Sequence, residues 1–113
     1  MTEGQAWEIL FQAEINMATN ARSEGNEGKA RVCARRAVGI VLGEYFQRNH
    51  ILLDSPTAYN RLRFIGRMPN IPDDLQTKIQ HFLVRVNSDF SLSIDTDLIT
   101  EAQQVREILL GGE

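Results

Sequence analysis

The stretch GKARVCARRAVGIVLGEYF, residues 28–46, contains no proline, and its small residues Ala30, Cys33, Ala34, Ala37 and Val41 recur at helical spacing. That period marks one face of a long α-helix. A face this small lets a second helix approach closely, which commits the chain to helix-on-helix packing around the segment. The same helix begins with Lys29, Arg31, Arg35 and Arg36. These cations either grip an anion or hold structural positions.

The flanking sequence reads as further helices. Thr2 with Gln5 fits a capping box, and apolar positions at helical spacing follow through about Ala21. Asn26 can cap the long helix, which runs to about Arg48, and Ser55 with Pro56 can start a third near "SPTAYN". "RMPNIP" stops that helix near Arg67. Pro72, Asp73 and Asp74 open a fourth, with Leu75, Ile79, Phe82, Leu83 and Val86 as its apolar stripe. After "NSDFSLSI", read as an extended loop, Asp95 or Asp97 caps a fifth helix that buries Leu98 or Ile99, Ala102, Val105 and Leu109. The expectation is an all-α, antiparallel up-and-down bundle of about five helices, with residues 1–113 as one domain.

Composition adds limits. Hydrophobic content of 42% and charged content of 24% are those of a globular chain. No apolar run approaches the roughly 20 residues of a membrane span. The N-terminal "MTEGQAWEIL" carries acids where a secretory signal has positive charge, and Cys33 is a lone cysteine. Both point to a cytoplasmic protein without a membrane partner. Charge is uneven: residues 1–21 carry −3, residues 22–67 carry +5 and residues 68–113 carry −5. The simplest reading is mutual neutralisation of the segments in the fold.

Helical geometry at about 100° per residue assigns roles. On the first helix Trp7, Leu10, Phe11, Met17, Ala18 and Ala21 form a stripe with Glu14 at its centre. If helices 1 and 2 are antiparallel, positions whose numbers sum to about 50 face one another. Glu14 then forms a structural salt bridge with Arg36, and Phe11 and Trp7 enter notches left by Gly39 and Gly43. Glu44 can pair with Arg48. Cys33 reads as a small core residue. Arg31, Arg35, Val38 and Leu42 lie along another line, half charged and half apolar, which suits the seam of a dimer.

"AWEILFQAE", a polar hinge, "EGKARVCARRAVGIVLGEYF" and the capped helix "SPTAYNRLRFIG" together resemble the HEPN domain, over roughly the first two thirds of the chain. HEPN proteins are small helical modules that include ribonucleases, toxin components and partners of minimal nucleotidyltransferases. The resemblance implies an up-and-down bundle that dimerises, with a nucleotidyltransferase or an antitoxin as a protein partner. Nuclease members carry an Arg, usually a polar residue after it, and a His four to six positions beyond the Arg. Here Arg48, Asn49 and His50 have the right types at a shorter spacing, and no Arg in the chain has a His at the family distance. The family's Glu and Lys in the long helix would fall near Gly39 and Gly43. No catalytic residue carries over.

One surface stands out as a candidate anion or nucleic-acid contact. Tyr59, Arg63 and Arg67 occupy i, i+4 and i+8 of the third helix with Arg61 nearby, so a ring adjoins guanidinium groups. Arg48 and His50 are the further candidates. His81 shares the outward face of the fourth helix with Asp74, Lys78 and Arg85 and reads as solvated. A sequence pI near 5.4 disfavours a dedicated nucleic-acid binder. No HExxH, metal-spaced Cys or His pair, P-loop or dinucleotide turn occurs, so no metal or cofactor is expected. The function expected is that of a non-catalytic, HEPN-like interaction module acting as a homodimer. The alternative is a diverged HEPN ribonuclease or nucleotide-binding protein of a toxin–antitoxin type system.

Overall fold

The computed structural model describes residues 6–53, 55–83 and 97–111. These form an all-α fold: α1 (Ala6–Ser23), α2 (Glu27–Arg48), α3 (Ala58–Gly66), α4 (Asp73–Leu83) and α5 (Leu98–Leu110), with no strand among the described residues. None of these helices is long and apolar enough to cross a membrane. The proposed Thr2 cap, Val86, Asp95 and the "NSDFSLSI" segment lie outside the described residues.

α1 and α2 are joined by a very short turn in which Gly25 and Asn26 have defined tasks. Gly25 adopts φ +80°, a conformation that costs glycine little. The backbone N–H of Asn26 donates to the Ala21 carbonyl at 2.8 Å and that of Gly25 to the Arg22 carbonyl at 3.0 Å, the paired bonds of a Schellman C-cap. Asn26 then caps α2, as expected, its side chain accepting from the Lys29 N–H at 3.1 Å. One residue thus closes one helix and opens the next, and the two helices fold back on each other.

α2 is the axis of the molecule, packing on α1, α3 and α5, while α4 leans on α3 and α5. Its small residues Ala30, Cys33, Ala34 and Ala37 are buried together with Val38, Val41 and Leu42. Phe11, Leu62, Ile65, Leu75, Ile79, Phe82 and Val105 complete the core, each such side chain contributing roughly 1.5–3 kcal/mol through burial.

Several expectations need correction. The cap of α3 is Thr57, which accepts from the Asn60 N–H at 3.2 Å. Ser55 lies two residues before that cap, and its hydroxyl accepts from Asn60 Nδ2 at 2.9 Å. His81 is half-buried and not fully solvated. Its Nδ1 lies 2.6 Å and 2.9 Å from the two carboxylate oxygens of buried Glu101, so it ties α4 to α5.

The proposed dimer seam is interior. Val38 and Leu42 are fully buried, Arg31 is buried, and half-buried Arg35 donates from Nε to the Phe82 carbonyl at 3.1 Å. That bond places a cation at the C-terminal end of α4, where the helix dipole favours it. Burial pushes the Arg35 guanidinium pKa below its ordinary value, against an opposing effect of Tyr59. The line is half charged because it meets the ends and flanks of other helices of the same chain.

Candidate functional site

The site is built where α3 crosses α2. A Cβ on Gly39 would lie 2.7 Å from the Ala58 Cβ and 3.0 Å from its Cα, and one on Gly43 would lie 2.6 Å from Arg61 Nη1. The two glycines therefore form a trough that receives α3 and the Arg61 side chain. They do not receive Phe11 and Trp7, because α1 lies on the other flank of α2, where Cys33 faces Glu14. Burial, then the Glu14 charge, pushes the Cys33 thiol pKa up, as suits a core residue and not a nucleophile.

Arg61 is anchored at two points. Its Nη1 donates to the Gly39 carbonyl at 2.7 Å and its Nε to the Ser55 carbonyl at 3.3 Å. The side chain is half-buried, and no carboxylate pairs with it among the described residues. Beside it a cavity of about 440 Å³ is walled by Phe46, Ile51, Leu52 and Leu53.

The predicted face of α3 partly assembles. The Arg63 guanidinium lies 5.8 Å from the centroid of the exposed Tyr59 ring, within cation–π range. Arg63 and Arg67 line one open cleft together with Ser55, Asn60, Phe64 and Met68. Neither arginine has an ion-pair partner among the described residues.

Arg48 and His50 do not join this face. Arg48 Nε pairs with Glu44 at 2.8 Å, as the i, i+4 spacing predicts, and its guanidinium stands 5.8 Å from the Trp7 ring centroid on the α1 side. His50 lies beyond the end of α2 at φ 56°, with an exposed side chain. The two residues belong to different surroundings, and neither lines the Arg61 cavity or the Arg63–Arg67 cleft.

The Glu14–Arg36 bridge is not made. No ion pair joins them among the described residues; Arg36 is exposed, and Glu14 Oε1 is buried without a hydrogen-bond partner. The small-residue strip draws α1 toward Cys33, one helical turn from Arg36, and leaves the arginine at the rim.

Comparisons with family models, curated proteins and solved structures find no match. Function must therefore be argued from the surfaces themselves. No group of three or more His, Cys, Asp or Glu side chains that could hold a metal ion occurs among the described residues. Sequence reasoning set Arg61 only beside the Tyr59, Arg63 and Arg67 face and missed its seat against α2. Its signal was the Gly39 and Gly43 pair, which announced a close approach without saying which helix makes it.

Proposed function

We propose that the chain is a non-catalytic helical interaction module that pairs with a second copy of itself through the outer face of α1 and α2. Helical spacing puts Leu10, Glu14 and Met17 on one flank of α1 and Val32 and Arg36 on the adjoining flank of α2. Leu10, Met17 and Val32 are 56%, 40% and 49% exposed, large apolar side chains gathered on one face. The observation that carries the reading is the charge pattern on that face. Glu14 is half-buried and Arg36 exposed, and neither has an ion pair among the described residues. A two-fold axis brings Glu14 of each copy toward Arg36 of the other, so one surface supplies both halves of the complement.

Sedimentation of the purified chain at about 50 µM tests this. A dimer is expected, converted to monomer by Met17→Glu with Val32→Glu. Glu14→Arg or Arg36→Glu alone should weaken association at least about tenfold, the scale of a charged hydrogen bond worth roughly 1.5–3 kcal/mol. The double exchange should restore it. A wild-type species of 12.8 kDa refutes the proposal.

A further inference from the structure

The Arg61 cavity is distinct from the pairing face and has a chemistry of its own. A guanidinium has five N–H donors in one plane. Two donor directions of Arg61 are committed, to the Gly39 and Ser55 carbonyls, and these bonds fix the plane against the α2 backbone. Gly43 permits this: its missing Cβ is what lets Nη1 lie against the helix. The other N–H groups, including both on Nη2, have no partner among the described residues. Among the described residues this half-buried cation is held only by neutral carbonyls and lacks a counter-charge.

The walls define the rest of the occupant. Phe46 is buried, Ile51 and Leu53 are half-buried, and Leu52 at the rim is 95% exposed. A leucine left almost wholly in water beside an apolar recess is a group without its contact. The recess, about 440 Å³, falls within the size range of small-molecule pockets.

We propose that this cavity binds a monocarboxylate carried on an apolar chain, the carboxylate on the free edge of Arg61 and the chain against Phe46, Ile51, Leu52 and Leu53. A planar carboxylate matches the fork of one fixed guanidinium. One cation balances one negative charge, whereas a phosphate dianion would call for a second cation that this cavity does not supply. The apolar walls select a ligand with a hydrocarbon tail over a small hydrophilic acid such as acetate.

The test uses the full chain and octanoate as the probe, followed by calorimetry and by amide chemical shifts. Saturable binding is expected, with the largest shifts at Phe46, Gln47 and Ile51 to Leu53. Octan-1-ol, with the tail and no charge, and acetate, with the charge and no tail, should each bind at least about tenfold more weakly. Arg61→Lys keeps the charge but loses the fork, and Gly43→Ala displaces the guanidinium; each should weaken octanoate binding at least about tenfold, as expected for a charged hydrogen bond. The wild-type shift map stands even if a variant fails to fold. No saturable binding, shifts centred elsewhere, or octanol binding as well as octanoate would overturn the proposal. So would full affinity in a folded Arg61→Lys protein.

Discussion

Asp97 holds two helices at once. Its Oδ1 accepts from the backbone N–H groups of Ile99 and Thr100 at 3.1 Å and 3.3 Å, capping α5, and from Arg22 Nη1 of α1 at 2.9 Å. Its Oδ2 accepts from the Thr100 hydroxyl at 2.9 Å. Burial alone would raise the Asp97 carboxyl pKa, but the hydrogen bonds from Arg22 and Thr100 prevail and hold it below the usual carboxylate value. A depressed native pKa means stabilisation that is complete above the unfolded-state pKa, near 4, and is lost as pH falls through the native value. Asp97→Ala should therefore cost about 1 kcal/mol at pH 7, the usual cost of losing a cap. Urea midpoints for the two proteins at pH 7 and at pH 2 will show it, with the deficit shrinking at the lower pH. An undiminished deficit at pH 2 would mean that the charge has no part in the cap.

At the scale of the helix, α2 contains glycines with opposite tasks. Gly28 meets only Asn26 Oδ1 at 3.8 Å, whereas Gly39 is in contact with the backbone of α3. Gly28→Ala should stabilise by up to about 1 kcal/mol, because alanine loses less backbone freedom on folding. Gly39→Ala gains the same propensity but should destabilise by about 1–3 kcal/mol, since α3 must shift to admit the methyl group. Chemical denaturation of both variants decides it, and stabilisation at Gly39 would contradict the close crossing. These glycines also show what a sequence can disclose. Periodicity and caps such as Asn26 and Asp97 are local, and they place the helices well. The glycines are visible as a demand for space, but whether α1 or α3 meets that demand depends on how α2 is turned about its own axis. The same ambiguity sent Arg36 inward and His81 outward in the reading from periodicity. Residues 33 and 36 are one turn apart, so a small rotation of α2 exchanges which of them faces Glu14. Arg61 became legible as a site residue only once the crossing was known.

Across the whole molecule, the uneven charges are partly stitched together. Arg22, from the basic middle, reaches Asp97, and Arg106 on α5 stands 3.5 Å from Glu8 on α1. Both pairs are well exposed, and such pairs are typically worth about 0–1 kcal/mol each. The buried core therefore dominates stability, and raising NaCl from 0.05 M to 1 M should change the unfolding free energy by less than about 2 kcal/mol. A larger loss would show that the charge segments carry the fold. The central position of α2 has a further consequence for the order in which the molecule is made. Its partner α1 precedes it on the ribosome, but α5, which covers another of its sides, is the last of the five helices to emerge. A chain released before Leu98 would keep the α1–α2 hairpin while leaving part of the α2 apolar surface uncovered. Chains truncated before Leu98 are thus expected to be aggregation-prone, because α5 is the element that covers that side of α2.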